Sequence, residues 1–172
     1  MEPVEINAGA YYLRQLRADD RVDDRPALMD AFADVGLRRW VTRWRISSFD
    51  EATEYVAKRA EEWTLGERCS WAVADPVSGE LVGEVDLIRL APDWRVAEAG
   101  CWVTPEWGGR GVAGTALGAA LRFGAGALSV RRVDYLHAPD NQASYRVAQK
   151  CGFTHKGIRD GLVLHTLDLR PL

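Results

Sequence analysis

The sequence lacks a long hydrophobic run and a strong charge of either sign. No stretch of its 172 residues approaches the roughly 18 apolar residues of a membrane span. The 22 Lys and Arg against 25 Asp and Glu give a net charge of −3, spread along the chain. A dedicated nucleic-acid binder concentrates positive charge on one face. We therefore predict neither a membrane segment nor direct nucleic-acid binding.

Cysteine is also scarce, and no two cysteines lie close in sequence. Cys69, Cys101 and Cys151 form no C-x-x-C pair, which argues against a disulfide framework and against a structural zinc site. The three histidines have no metal-ligand spacing, so we expect no metal. The cysteines are predicted to be small buried residues in a reducing compartment. Because the N-terminus carries no basic-then-apolar leader, the cytoplasm is the expected location.

The order of hydrophobic patterns predicts one α/β domain over residues 1–172. Helical spacing begins at Pro26 and is expected to stop at Gly36, and an S-x-x-E capping box, Ser48–Glu51, starts the next helix. The other patterns predict strands over 10–16, 70–74, 81–90, 96–103 and 132–137, helices after Gly111 and over 141–151, and final strands after Phe153. The hairpin-type connections between 70 and 103 indicate a mixed, largely antiparallel central sheet flanked by helices.

A glycine cluster at the start of a helix is the most informative segment. Residues 103–114 read VTPEWGGRGVAG, and glycines before a helix let backbone N–H groups approach a phosphate closely. Gly109 to Gly114 also match G-x-G-x-x-G, with Asp134 20 residues further on, which leaves a dinucleotide-binding oxidoreductase open. The five residues between Val103 and Gly109 count against that interpretation, because the first glycine should follow the strand directly. A glycine-rich turn without a ligand is a further alternative.

The residues around this loop resemble the GNAT superfamily of N-acetyltransferases. The resemblance rests on 97–103, on 103–106 followed by 109–113, and on Asn141-x-x-Ser144 with 150–153. It is strongest toward the ribosomal-protein N-terminal acetyltransferases. It implies a GNAT-like fold and an enzyme that transfers acetyl from acetyl-CoA to a primary amine directly, in a ternary complex without a metal. A homodimer is also expected. Gly108 stands where the family has Arg or Gln, and Ala148 where many members have tyrosine.

The same resemblance assigns the binding of acetyl-CoA to backbone groups. It places the thioester carbonyl against the N–H groups of Cys101, Trp102 and Val103. The pyrophosphate is expected on the N–H groups of the loop and of the helix start, namely Gly109, Arg110, Gly111, Val112, Ala113 and Gly114. Arg110 is either a further phosphate contact or a solvated side chain. Asn141 either caps its helix, contacts the pantetheine arm, or does both.

Glu98 is the predicted general base. If residues 96–103 form a strand, then Glu98, Gly100 and Trp102 share one face, and apolar surroundings would raise the pKa of this carboxyl toward a useful range. A solvated or salt-bridged glutamate is the alternative. Glu84 and Asp86, which share a face of the preceding strand, are the rival bases.

Ser144 is the predicted group that donates a hydrogen bond to the leaving thiolate, with a helix cap as the alternative role. The acceptor is expected to be either a protein N-terminus or a small-molecule amine. Four arginines and two tryptophans in residues 38–45 form either a solvated helix end or a wall on the acceptor side. A catalytically inactive domain that senses CoA or binds a partner is the alternative to an enzyme.

Overall fold

The computed structural model describes residues 1–169, which build one eight-stranded sheet. The strands lie in the order β1-β2-β3-β4-β5-β6-β8-β7. Their bounds are β1 Ile6–Asn7, β2 Tyr12–Arg14, β3 Arg68–Ala74, β4 Leu81–Arg89, β5 Val96–Val103, β6 Arg132–His137, β7 Thr154–Arg159 and β8 Leu162–Asp168. Every neighbouring pair is antiparallel except β5 and β6, which run parallel. The predicted mixed, largely antiparallel sheet is confirmed.

Five helices cover the two faces of the sheet. They are α1 Arg25–Ala33, α2 Val35–Trp40, α3 Phe49–Leu65, α4 Val112–Ala127 and α5 Gln142–Lys150. The helices α1, α2 and the first half of α3 pack with Trp102 and Ala72 in one apolar cluster. The helix α4 packs in the other cluster with Ala97 and Ala99, and Trp63 near the end of α3 joins it there. Because side chains alternate along a strand, β5 contributes its even positions to the first face and its odd positions to the second. In the described part of the chain, no helix has the length and hydropathy to cross a bilayer.

The capped helix α3 forms as its sequence predicts. The Ser48 hydroxyl accepts from the Glu51 N–H at 3.2 Å, and the Glu51 carboxylate accepts from the Ser48 N–H at 3.1 Å. Two N–H groups that the first helical turn leaves unpaired are thereby satisfied. The inward face of the helix then carries Tyr55 and Trp63 into the interior.

Three sequence expectations about the first 40 residues and the cysteines were wrong. Gly36 does not end a helix: the Asp34 carboxylate accepts from the Leu37 N–H at 2.7 Å, so a separate helix, α2, starts after Asp34. The strand predicted over 10–16 is only Tyr12–Arg14, paired with an unpredicted short strand, β1. Cys69 is buried, but Cys101 and Cys151 are only partly so.

The parallel strands β5 and β6 separate partway along their length. They pair from Val96↔Arg132 to Ala99↔Tyr135, whereas β5 stays paired with β4 as far as Val103. Beyond Ala99, the two parallel strands therefore form a fork. The fork opens toward the glycine loop, which follows the end of β5.

Candidate active site

The glycine loop presents an open backbone surface to solvent. Gly109 and Gly111 have φ values of +75° and +81°, a left-handed conformation that favours glycine. A Cβ added at either position, or at Gly114, would meet no other atom within 4 Å. Gly111 precedes α4 and gives it no side-chain cap, so the first N–H groups of the helix remain available to a ligand. This geometry suits the pyrophosphate of acetyl-CoA.

The edge of β5 supplies further N–H groups at the fork. The Thr104 N–H donates to the Val82 carbonyl at 3.0 Å, on the β4 side. Successive N–H groups of an extended strand point to opposite edges. The N–H groups of Val103 and Cys101 therefore face the fork, and that of Trp102 faces β4. The Trp102 side chain is buried against Phe32 of α1, with ring centroids 5.6 Å apart. Its indole therefore lies on the sheet face that α1 covers and not at the fork.

Glu98 directly precedes Ala99, where the pairing of β5 with β6 ends and the fork begins. Its β5 position pairs with Asp134 of β6, so both carboxylates project from the same face. Arg159 of β7 joins them, with one guanidinium nitrogen 2.8 Å from Asp134 Oδ2 and the other 3.4 Å from Glu98 Oε2. The Glu98 side chain is 20% exposed, and that of Asp134 is 3% exposed. Glu98 is therefore the carboxylate of this pair that an acceptor could reach.

Burial raises the pKa of Glu98 above its ordinary value. The guanidinium groups of Arg43 and Arg159 oppose this rise, and the carboxylates of Asp86 and Asp134 add to it. The predicted shared face with Gly100 and Trp102 is confirmed by the pairing with β4. The salt bridge to an arginine, which was the alternative interpretation, is also present. Glu98 thus forms an ion pair with Arg159, remains partly exposed, and has a raised pKa.

Glu84 is enclosed, although its pKa is the most favourable for a base at neutral pH. Burial, together with the charge of Asp86, raises the pKa of Glu84 to about 7. Its Oε2 accepts from the Tyr55 hydroxyl at 2.6 Å and from the Trp102 indole at 3.1 Å. With 1% of its surface exposed, the residue offers no route for an acceptor amine. Geometry therefore disfavours Glu84 as a base that touches the substrate.

Asp86, the other rival base, is tied to a neighbouring strand. Its Oδ2 accepts from Arg68 at 2.6 Å, and the residue is 7% exposed. Gly100 leaves room for this carboxylate, because a Cβ there would lie 3.0 Å from Asp86 Oδ1. Asp86 therefore acts on Glu98 through its charge and not as a reachable group.

The two candidate residues of α5 have different structural roles. The Asn141 side chain accepts from the Ser144 N–H at 3.0 Å and caps the helix. The predicted cap is therefore Asn141, and Ser144 is not a cap but the third helical residue, which is half-buried. Asn141 is buried at the helix start, next to the end of β6.

A tyrosine that the sequence did not single out lies inside the fork. The Tyr135 hydroxyl is 3.5 Å from Cys101 Sγ, across the point where β5 and β6 separate. Burial holds the pKa of Tyr135 well above its ordinary value, and the nearby Ser144 hydroxyl opposes part of this rise. Burial also raises the pKa of Cys101 to about 11, so its thiol is protonated at neutral pH. Only the parallel register of β5 and β6 brings these groups together.

The arginine-rich segment lies on the same face as Glu98. Arg39 of α2 forms an ion pair with Asp140, which directly precedes Asn141. Trp44 packs edge-to-face on Tyr55, with ring centroids 5.0 Å apart. Arg110, by contrast, lies over the Trp107 ring at 5.0 Å from its centroid, beside the glycine loop. Among residues 1–169 no group of three or more His, Cys, Asp or Glu is placed to hold a metal ion.

Residues 12–154 match the acetyltransferase (GNAT) domain family. The chain belongs to this family. It is 25% identical to the uncharacterised N-acetyltransferase YoaA of Bacillus subtilis over 135 residues, 78% of this chain and 76% of that protein. Its fold is similar to that of RimL, a ribosomal L7/L12 α-N-protein acetyltransferase in complex with coenzyme A. That structure has a TM-score of 0.81 and 20% identity, and the match covers 96% of this chain and 98% of that one.

A second solved structure, Mycobacterium smegmatis RimJ in complex with CoA-disulfide, gives the same fold. Its TM-score is 0.79 at 23% identity, and the match covers 97% of this chain and 86% of the RimJ chain. The chain is therefore an acetyltransferase, as the resemblance implied, and acetyl-CoA is its acetyl donor. The G-x-G-x-x-G match therefore does not mark an oxidoreductase, because the chain belongs to the acetyltransferase family.

Proposed function

We propose that the chain acetylates the N-terminal α-amine of a protein. The observation that carries this proposal is the position of the reachable Glu98 carboxylate beside the fork toward which the Cys101 and Val103 N–H groups point. An α-amine has a pKa near 8, so roughly a tenth is already neutral at pH 7, and a carboxylate of modestly raised pKa suffices as its base. The similar fold of RimL, a ribosomal L7/L12 α-N-protein acetyltransferase, supports a protein acceptor.

Glu98 accepts the proton that the amine loses. The amine nitrogen attacks the thioester carbonyl, a C–N bond forms, and the C–S bond to CoA breaks. The Cys101 and Val103 N–H groups donate to the oxygen that gains negative charge. The loop N–H groups from Gly109 to Gly114 hold the pyrophosphate, and several such contacts are needed because each is worth only about 0.3 to 1 kcal/mol.

The leaving sulfur receives its hydrogen bond from Ser144, a half-buried residue on the first turn of α5. Tyr135 is too weakly acidic to release a proton readily, since its pKa lies well above the ordinary value. Its hydroxyl instead contacts Cys101 Sγ at 3.5 Å and lies near Ser144. A homodimer and a cytoplasmic location remain predictions of the sequence.

The test is acetylation of defined peptides by the purified protein, followed by mass spectrometry. One peptide carries a free α-amine and no lysine, and its matched control carries a blocked N-terminus and one lysine. We expect acetyl-CoA-dependent acetylation of the first peptide at least about a hundredfold faster than of the second. Acetylation of lysine alone, or of small amines such as polyamines but neither peptide, would contradict a protein N-terminus as acceptor.

A further inference from the structure

The segment from Arg38 to Arg45 forms an exposed basic surface, here named the arginine wall. It contains Arg38, Arg39, Arg43 and Arg45, all exposed, and no acidic residue. Within residues 1–169, the ion pair of Arg39 with Asp140 is the one salt bridge that the wall makes. Three guanidinium groups of the wall therefore remain free to meet an anionic partner.

Two anchors fix the wall across the sheet face that carries Glu98. At one end, Arg39 binds Asp140 next to the start of α5. At the other end, Trp44 packs on Tyr55 of α3, and the Arg59 guanidinium lies 5.2 Å from the Trp44 ring centroid. The wall therefore runs between the start of α5 and the packing site of Trp44 on α3. The wall is thus held in place despite having no regular secondary structure after Trp40.

The wall approaches the proposed site of the acceptor amine. Arg43 directly precedes Trp44, which packs on Tyr55. The Tyr55 hydroxyl donates to Glu84 on the sheet face that also carries Glu98. The charge of Arg43 accordingly lowers the pKa of Glu98, against the rise that burial causes. Glu98 therefore lies within electrostatic reach of the wall. An acceptor whose amine meets Glu98 would leave the site as an extended chain that rises about 3.3 Å per residue. Its next few residues would pass along the arginines.

We propose that the arginine wall binds acidic side chains at positions two to five of the acceptor polypeptide. This proposal rests on the proposed function and adds the substrate class. Guanidinium groups bind carboxylates through paired N–H donors, and opposite charges at the rim of an interface mainly raise specificity and association rate. A nucleic acid is the less favoured partner of the wall. The wall lies beside Glu98, the proposed base for the acceptor amine, and the chain as a whole has a net charge of −3.

The experiment measures kcat/KM for three peptides that share a first residue and differ at positions two to five. These positions carry glutamate, glutamine or arginine. At low salt we expect the glutamate peptide to exceed the glutamine peptide about tenfold, because two or three exposed ion pairs form. The preference should fall with added salt. The variant Arg38→Gln/Arg45→Gln should lower it to about threefold or less, with the rate on the glutamine peptide unchanged.

The matched control is Arg21→Gln/Arg122→Gln, which removes two exposed arginines elsewhere and should keep the full preference. Arg38→Glu/Arg45→Glu should reverse the order and favour the arginine peptide. Equal kcat/KM values for all three peptides would contradict the proposal that the wall binds acidic side chains, and would leave the proposed function intact. No acetylation of any peptide would overturn both proposals. Binding of an RNA oligonucleotide that depends on Arg38 and Arg45, without a charge preference among peptides, would assign the wall to RNA instead.

Discussion

The two sides of the fork are built from different parts of the chain. The proposed donor side is the glycine loop, the start of α4 and the edge of β5, and it offers mainly backbone N–H groups. The acceptor side is the face with Glu98, Arg159 and Arg43, and it offers charged side chains. Any sequence that permits the turn can present the backbone N–H groups, whereas a single substitution can remove or reverse the charge of a side chain. We therefore propose that backbone shape holds the donor and that side-chain charge distinguishes the acceptor.

The largest expected effect is the loss of the base on the acceptor side. Glu98→Gln keeps the shape of the side chain but cannot accept a proton, so kcat/KM should fall about a hundredfold or more. The dissociation constant of acetyl-CoA, measured by calorimetry, should change less than about twofold, since the donor side is untouched. Glu106→Gln, at an exposed glutamate beside the loop, is the control and should be fully active. If Glu98→Gln were fully active and Glu84→Gln inactive, the general base would be Glu84 and not Glu98.

The next effect concerns the backbone surface of the donor side. No atom lies within 4 Å of a Cβ built at Gly114, and Cβ atoms of a helix tilt toward its N-terminus. Gly114→Leu should therefore fold normally, with an unchanged or raised melting temperature, because leucine favours a helix. Its side chain would extend over the loop and weaken acetyl-CoA binding about tenfold or more. Arg110→Ala should weaken binding by no more than about threefold; a larger loss would mean that a side chain holds the donor.

The two candidate residues of α5 separate catalysis from stability. Ser144→Ala should lower turnover about fivefold while acetyl-CoA affinity stays unchanged, because only the hydrogen bond to the leaving sulfur is lost. Asn141→Ala removes a helix cap and should lower the free energy of unfolding by about 1 kcal/mol, which corresponds to a fall of about 2 to 4 °C in melting temperature. Equal turnover of Ser144→Ala and wild type would remove Ser144 from the reaction.

The smallest effect is a shift in the pH profile. Arg159 lowers the pKa of Glu98 through its charge, so Arg159→Gln should raise that pKa. Because Glu98 acts as a base only when ionised, the acid limb of kcat/KM should move to higher pH. We expect a loss of about threefold at pH 6 and rates near wild type at pH 8.5. Arg132→Gln is the control, because Arg132 contacts Asp134 and not Glu98. Identical pH profiles for Arg159→Gln and Arg132→Gln would show that the charge of Arg159 does not affect the base.

The local structure of the proposed donor side could be predicted from sequence because its signals are local. The glycines, the start of α4 and the cap at Asn141 all lie within a few residues of the groups they arrange. The face shared by Glu98 and Trp102 follows from strand period alone. Local chemistry therefore fixed both the position of the loop and the choice between the even and odd positions of β5.

The acceptor side could not be predicted in the same way, because its contacts join distant residues. Arg159 is 61 residues from Glu98, and Arg39 is 101 residues from Asp140. The Tyr135 contact with Cys101 depends on the register of two parallel strands, which the sequence does not specify. Glu84 also shows the limit of composition arguments: its neighbours, Tyr55 and Trp102, enclose it and so separate a suitable pKa from access.

The most direct test of the division between the two sides is a double-mutant cycle on Glu98→Gln and Gly114→Leu. The measurement is kcat/KM for acetyl-CoA with an α-amino peptide, for wild type, both single variants and the double variant. Independent sites give additive free energies, so the two losses in kcat/KM should multiply, to within about 0.5 kcal/mol. A coupling above about 1 kcal/mol would instead show that donor and acceptor are held by one shared set of groups.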